Sequence, residues 1–297
     1  MNRKLGYILV VLVLLFFTGC GIGSDGSKTS GLSIGKGDST SSGSVSGKEG
    51  IKLGFTQGNP VTQMIKGGSY TFAFVFENYL NHEVTDLRIR TRGFDTNFVS
   101  GLNTDYSVNR IPKANDASGP GVYSGLVVNG VRVDNFKENF NFNPYFDYCY
   151  TAKTSFGEQI CVPNKRYECD IEVNKFKFQS GVLGVSLGEL KLSDGKIIVP
   201  IKIKDEGNGQ VVNTCFNTEE YERNYKLESV KLGSEVGSCT PYSSEKFSLI
   251  QGESTIYCTF SRSQDEAYLS QLSVELSYAY QQAMYLEIEV EDLDKFN

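Results

Sequence analysis

The chain contains a single histidine, His82, and no two cysteines separated by only two residues. Zinc sites use cysteine and histidine ligands, commonly in such close pairs, so we expect no zinc centre. A Ser-His-Asp or Cys-His mechanism would have to use His82, which lies in a predicted hairpin loop at residues 78–83. An exposed loop histidine is the simpler interpretation. We therefore expect no histidine-based catalysis.

The chain also lacks a basic cluster. It carries 35 Asp and Glu against 29 Lys and Arg, a formal net charge of -6 at pH 7. Removal of an N-terminal segment holding Arg3 and Lys4 would take away two positive charges and change -6 to -8. Such a surface repels nucleic acids and anionic lipids. The composition predicts no nucleic-acid partner.

Calcium-loop spacing of the D-x-D-x-D-G type is missing too. Glu287, Glu289 and Glu291 alternate along a predicted strand, and residues 205–209 form the acidic turn Asp-Glu-Gly-Asn-Gly. We interpret both stretches as solvated, and we expect no metal and no cofactor. A glycosidase that uses two carboxylates stays open as an alternative, because it needs no histidine and only two acids at a fixed separation.

The apolar run at residues 5–17 is shorter than the about 20 residues that an ordinary membrane span needs. Arg3 and Lys4 precede it, and the small-residue stretch 18–20 follows it. A charged segment, an apolar segment and a small-residue end are typical of a secretory signal peptide. We predict a signal peptide at residues 1–19.

The stretch Phe17-Thr18-Gly19-Cys20 resembles the lipobox of prokaryotic lipoproteins, although leucine is usual where this chain has Phe17. In that family the cysteine thiol takes a diacylglyceryl group and becomes the first mature residue. The resemblance implies that Cys20 is the lipid attachment site and the contact with the membrane. Two acyl chains suffice for stable anchoring. An uncleaved signal anchor is the alternative.

A glycine-serine stretch follows the cysteine. Residues 20–50 contain mostly Gly, Ser, Thr, Lys and Asp and no aromatic residue. Such a segment cannot bury enough apolar area to offset the entropy of ordering. We predict a disordered tether with a reach of about 30 Å.

Beyond residue 50 no long helical period is present, whereas apolar and polar residues alternate in several short runs. Aromatic rings occupy alternate positions in residues 69–76, and similar alternation marks 85–90, 126–133 and 284–291. Alternation of this kind predicts half-buried antiparallel strands. Asp194-Gly195 between two apolar runs predicts a hairpin. The chain is therefore expected to be all-β.

Residues 68–78 and 81–90 together resemble paired strands of an immunoglobulin-like sandwich. The chain also has a looser similarity to prokaryotic cell-surface lipoproteins, archaeal ones included, with such domains. The resemblance implies two immunoglobulin-like β-sandwich domains, at 51–178 and 179–297, and brings no catalytic motif. Residues 134–170 depart from the strand pattern, and we predict that they form a disulfide-bonded insert in the first domain.

Apart from Cys20 the chain has an even number of cysteines, which in an exported protein indicates three disulfides with fifteen possible connectivities. They are Cys149, Cys161, Cys169, Cys215, Cys239 and Cys258. Nearness in sequence favours Cys149 with Cys161 and Cys239 with Cys258. That choice leaves Cys169 to pair with Cys215 across the predicted domain boundary.

The densest aromatic stretch is residues 135–150, where rings alternate with asparagines. Flat rings provide binding area at low entropic cost, so this stretch is a candidate surface for a protein or a sugar. The candidate partner-binding residues are Tyr145, Phe146, Tyr148 and Tyr150. The alternative is that these rings pack as core over an open sheet edge, as expected also for Tyr278, Tyr280 and Tyr285.

These features together predict a lipid-anchored, non-enzymatic protein at the cell surface. Its function would be adhesion, envelope assembly or complex formation with a protein or glycan partner. A lipoprotein that binds a ligand or glycan is the alternative, followed by a carboxylate-based hydrolase outside the cytoplasm.

Overall fold

The computed structural model of the chain describes residues 48–115, 117–163, 177–216, 223–241, 246–262 and 266–292. These residues form β-strands and contain no helix, hence none long and apolar enough to cross a membrane. The prediction of an all-β fold is confirmed. All the described residues belong to one compact unit.

The strands are short except for β10 and β21. They are β1 (Ile51–Phe55), β2 (Gln63–Ile65), β3 (Ser69–Asn78), β4 (Leu87–Arg92), β5 (Val99–Ser100), β6 (Asp105–Val108), β7 (Gly121–Tyr123), β8 (Val127–Val133), β9 (Phe140–Phe142), β10 (Tyr145–Val162), β11 (Lys177–Ser180), β12 (Leu183–Leu187), β13 (Lys191–Ser193), β14 (Lys196–Asp205), β15 (Gln210–Val212), β16 (Asn224–Leu232), β17 (Glu235–Val236), β18 (Ser238–Thr240), β19 (Lys246–Ser248), β20 (Glu253–Ser261), β21 (Tyr268–Tyr285) and β22 (Ile288–Glu291).

The strands form one large sheet and three smaller ones. The large sheet has nine strands with the central order β17-β16-β21-β10-β4-β6. One five-stranded sheet has the order β1-β3-β8-β5 with β7 beside β3, and another has β12-β14-β20-β18 with β13 beside β14. Strands β2, β22 and β9 make the fourth sheet. Nearly all pairs are antiparallel, as predicted, and β2 with β22 is parallel.

The centre of the large sheet is the antiparallel pair β10 and β21. Each strand has 18 residues, and they pair from Tyr145 opposite Tyr285 to Val162 opposite Tyr268. At the usual rise, each strand is about 60 Å long. Even-numbered positions such as Tyr150 are buried along most of both strands, because this face packs against the smaller sheets.

One five-stranded sheet covers the first part of β10. The ring of Phe146 lies 5.2 Å from that of Phe74 on β3 and 5.8 Å from that of Phe55 on β1, edge-on to both. Edge-to-face pairs at this distance are favourable beyond the area they bury. The alternating aromatics of β3 were therefore correctly predicted to face a core.

The other five-stranded sheet covers the second part of the long pair. Tyr225 on β16 bonds through its hydroxyl to Ser254 on β20, at 3.1 Å. Val182 and Leu183, at the start of β12, donate their backbone N–H groups to the hydroxyl of Tyr278 on β21. These bonds connect the large sheet to the sheet that faces it.

Strands from both sides of the predicted boundary at residue 178 belong to the large sheet. Strands β4 and β10 precede that residue, whereas β16 and β21 follow it, and β10 pairs directly with β21. The two halves of the described chain therefore share a continuous sheet. The immunoglobulin-like character of each half stays a prediction.

The position of β10 corrects the prediction that residues 134–170 form an insert. Residues 145–162 form the central strand of the large sheet rather than a capping subdomain, and residues 164–170 lie outside the described part. The strand pattern was missed because both faces of β10 are covered near its start. Its even positions pack on the facing sheet, and its odd positions Asp147 and Cys149 are buried as well.

The disulfides follow the strand geometry. Cys239 and Cys258 face each other on β18 and β20 and are bonded, as predicted. Cys149 is bonded to Cys215, so its predicted pairing with Cys161 is wrong, as is that of Cys215 with Cys169. Cys149 and Cys161 lie on the same extended strand, about 40 Å apart at the usual rise, too far for a disulfide. Cys161 is itself disulfide-bonded, and Cys169 lies outside the described residues.

Candidate binding surface

A row of exposed side chains crosses three strands of the large sheet. Arg92 on β4 is paired in register with Tyr145 on β10, which is paired with Tyr285 on β21. The three lie on the sheet face opposite the buried even-numbered side chains of β10. Together with Arg88, Arg90 and Phe216, they form what we call the Arg–Tyr face.

The sequence of β4 explains why arginines line this face. Residues 87–92 read Leu-Arg-Ile-Arg-Thr-Arg, and burial alternates strictly: Leu87, Ile89 and Thr91 are buried, and the three arginines are exposed. Successive side chains of a strand point to opposite faces, so the arginines share one side and Leu87 and Ile89 share the other. The solvent side of β4 therefore carries a charge at every second residue.

The two tyrosines form an exposed aromatic pair. Their ring centroids lie 6.1 Å apart with an interplanar angle of 37°. Tyr145 is 37% exposed and Tyr285 is 56% exposed, so both rings are accessible. A Cβ placed at Gly93, whose φ is +82°, would lie 2.8 Å from Tyr145 Cδ2. The absence of a side chain at residue 93 therefore makes room for this ring.

Arg92 is fixed beside the aromatic pair by a two-point contact with Asp147. Its Nη2 donates to Asp147 Oδ1 at 3.1 Å, and its Nε donates to Oδ2. The Asp147 side chain is only 10% exposed, and this contact raises the pKa of Arg92. The guanidinium lies 4.6 Å from the Tyr145 ring centroid, a cation-π distance. Bidentate pairing of this kind fixes orientation as well as charge.

Arg90 and Arg88 have looser ionic partners. Arg90 lies 3.6 Å from Asp105, and Arg88 lies 3.4 Å from Asp86. The Arg90 guanidinium also lies 4.5 Å from the centroid of Phe216. Cys215, next to Phe216, is bonded to Cys149, and this crosslink holds the ring near the sheet.

Three of the four predicted partner-binding residues are not on this surface. Phe146, Tyr148 and Tyr150 are buried at 0%, 5% and 0% exposure, so the prediction that they contact a partner is wrong for all three. They occupy even positions of β10, and the core face of the strand takes those positions. Tyr145 is the exposed member of the set. Cys20, the predicted lipid site, lies outside the described residues.

The buried tyrosines instead form a hydrogen-bonded cluster between the two halves of the fold. The Tyr150 hydroxyl accepts from Ile51 N–H and donates to Gln282 Oε1, both at 3.0 Å. The Tyr148 hydroxyl donates to the Ile51 carbonyl at 3.1 Å. Burial raises the pKa of Tyr150 well above its ordinary value. These hydroxyls are satisfied structural groups.

Two tyrosines of β21 complete the cluster on the other half. Tyr278 shares a 2.8 Å hydrogen bond with Thr154, and burial raises its pKa to about 12. The Tyr280 hydroxyl accepts from Gly209 N–H at 2.8 Å and donates to Asp205 Oδ1 at 3.2 Å. Both were correctly expected in the core, whereas Tyr285 is exposed, against that expectation.

His82 is half-buried, not exposed as expected, although it does lie in the loop between β3 and β4. Burial lowers its pKa to about 4, and the nearby charge of Lys153 acts in the same direction. Its Nε2 is buried and has no hydrogen-bond partner among the described residues. We interpret the neutral His82 ring as a group that packs in this loop.

The acidic stretches are solvated or structural. Glu287 and Glu289 are exposed, while Ile288 and Val290 are buried between them. Asp205 accepts backbone N–H bonds from Gly207 and Val211, so it shapes the turn after β14. Within the described ranges, no group of three or more His, Cys, Asp or Glu residues could hold a metal ion.

The sequence reasoning missed most of the Arg–Tyr face. The alternation in residues 85–90 was recognised as a strand, and its arginines at alternate positions were the available signal. Phe216 and Tyr285 gave no such signal, because they reach this face through a disulfide and a cross-strand register. No protein-family model matches the chain, and no curated protein matches it.

Proposed function

We propose that this chain is a lipid-anchored, non-enzymatic protein of the cell surface that binds a partner through the Arg–Tyr face. The lipobox-like stretch ending at Cys20 and the glycine-serine tether support attachment to a membrane. The disulfides support an oxidising compartment outside the cytoplasm. The proposal covers adhesion, envelope assembly and complex formation.

The row Arg92, Tyr145 and Tyr285 is the observation that carries the binding role. Tyrosine and arginine are enriched at the energetic centres of interfaces. The nearly buried Asp147 holds Arg92 in place, and Arg92 in turn lies over the ring of Tyr145. Because the groups are already ordered, little conformational entropy is lost on contact.

The anchor and the face are tested separately. Cys20→Ser should move the protein out of the membrane fraction, and retention after an alkaline wash would contradict the lipid anchor. The double variant Tyr145→Ala/Tyr285→Ala should stay in the membrane but lose the partners that chemical crosslinking on intact cells attaches to the wild type.

Tyr257→Ala is the matched control for the double variant. Tyr257 is 50% exposed on β20, in another sheet, so its removal takes away a similar ring without touching the face. Crosslinked partners should be the same in this variant as in the wild type. An unchanged partner set in the double variant would contradict the binding role of the Arg–Tyr face.

A further inference from the structure

We propose that the Arg–Tyr face recognises a carboxylated polysaccharide, a chain of sugars that carry carboxylate groups. This inference rests on the proposed function and names the class of its partner. Three features support it: the chemistry of the exposed rings, the unequal ionic partners of the arginines, and the charge of the rest of the chain.

The aromatic pair offers the surface that a sugar ring needs. Pyranose rings present a C–H face, and the negative face of an aromatic ring attracts such polarised hydrogens. Tyr145 and Tyr285 lie side by side with centroids 6.1 Å apart on an open sheet surface. A protein partner of standard size would cover about 800 Å² with further anchors in pockets. Two adjacent exposed rings are better suited to a sugar chain.

Two arginines can exchange their present carboxylates for those of a ligand. Asp86 and Asp105, the partners of Arg88 and Arg90, have side chains that are 61% and 66% exposed, at 3.4 and 3.6 Å. Exposed pairs at these distances contribute little and are easily replaced. A ligand carboxylate can therefore take two parallel hydrogen bonds from either guanidinium.

Arg92 is different, since Asp147 holds it at two points and is nearly buried. It stays with that carboxylate and supports the ring of Tyr145. The exchangeable pair, Arg88 and Arg90, is separated by about 7 Å along the strand, as expected for alternate residues. Arg88 and Arg90 therefore place positive charge beside the exposed rings of Tyr145 and Tyr285.

The charge of the whole chain makes this arrangement selective. The formal net charge is -6 for the whole chain and -8 without Arg3 and Lys4, so the protein repels an acidic polymer elsewhere on its surface. Binding must then depend on Arg88 and Arg90, and it should weaken as salt screens the charges. A neutral polysaccharide would use the tyrosines alone and would bind less tightly.

The test measures binding of the detergent-extracted, full-length mature protein to polygalacturonate. We expect binding that falls at least about tenfold, or about 1.4 kcal/mol, when the carboxylates are methyl-esterified. Arg88→Gln/Arg90→Gln should cause a similar loss. Arg132→Gln is the control, because Arg132 is an exposed arginine on β8 in another sheet, 3.7 Å from Asp134. An unchanged melting temperature shows that each variant is folded.

The outcomes separate the two proposals. Equal binding of the acid and the ester, or no loss in the arginine variant, overturns the carboxylate assignment. No binding of polygalacturonate by the wild type also overturns it. The wider binding role still holds in those cases if Tyr145→Ala/Tyr285→Ala loses its crosslinked partners on cells. If that variant loses none, both proposals fail.

Discussion

Tyr150 on β10 and Tyr280 on β21 lie directly opposite each other, with ring centroids 6.0 Å apart, yet their hydroxyls hold different halves of the fold. Tyr150 bonds to Ile51 at the start of β1, whereas Tyr280 bonds to Asp205, the last residue of β14, and to Gly209 in the turn that follows. The pair therefore connects the two halves at a point where both long strands pass.

Replacement of Tyr150 by phenylalanine should destabilise the protein by about 1 to 3 kcal/mol, because Ile51 N–H and Gln282 Oε1 lose a buried partner. Chemical denaturation of both proteins measures the difference. Tyr257→Phe, at an exposed ring, should cost almost nothing. Equal stability of Tyr150→Phe and the wild type would show that the hydroxyl contributes nothing.

The protein should lose stability steeply between about pH 10 and pH 12. Burial raises the pKa of Tyr278 to about 12, and the pKa values of Tyr150 and Tyr280 rise as well. A folded-state pKa above the unfolded value means that the folded state binds more protons in this range, so stability is full below pH 10 and falls as pH rises. Tyrosinate absorbance should then appear together with the loss of circular dichroism. Ionisation of all tyrosines well before unfolding would contradict this.

His82 should weaken the fold on the acid side. Its pKa is lowered to about 4 from an ordinary 6.5, mainly by burial. The unfolded state therefore binds more protons between these values, and stability falls as pH decreases from about 6.5 to 4. His82→Gln should lose less stability over that interval than the wild type does. Parallel curves for the two proteins would exclude a contribution of this ring.

Loss of the Cys149–Cys215 disulfide should cost more than loss of Cys239–Cys258. The first closes a separation of 66 residues and the second one of 19. By the chain-entropy relation, these correspond to about 4 and about 3 kcal/mol. Denaturation of the two double cysteine-to-serine variants measures both costs. A larger loss for the shorter loop would contradict the entropic account.

Much of the fold could be predicted wherever the pattern is local. Residues 69–76 and 126–133 alternate in polarity, and they form most of β3 and β8. The Asp194-Gly195 hairpin has positive φ at both turn residues, 50° and 72°, as its sequence requires. Such signals depend only on neighbours along the chain.

The errors arise where strands distant in sequence decide the environment. A proline within a strand usually indicates an edge strand, but Pro200 lies on β14, which is between β12 and β20. On one side of β14, the strand pairing is interrupted at Pro200, because β12 ends opposite Ile201 and β13 begins opposite Ile198. The proline therefore occupies a gap in the ladder where its missing N–H is tolerated. Residues 284–291 likewise split between β21 and β22 in different sheets.

The site was only partly predictable for the same reason. Tyr145 was identified, but nothing in the local sequence shows that position 145 faces solvent while 146, 148 and 150 face the core. The partners of Tyr145 are Arg92 and Tyr285, which are far away in the chain and meet it only through the register of β10. A single aromatic cluster in the sequence thus combined one surface residue with several core residues.

The hydrogen bond between Tyr150 and Ile51 also fixes where a pulling force would act. The chain enters the described fold beside the long strands, where Lys48 contacts Glu206 and Ile51 contacts Tyr150. Tyr150 is about 17 Å along β10 from Tyr145 and about 40 Å from Val162 at the usual rise. A force applied through the chain before Lys48 would therefore reach β10 at Tyr150, inside the strand, and neither end of β10 would bear it first.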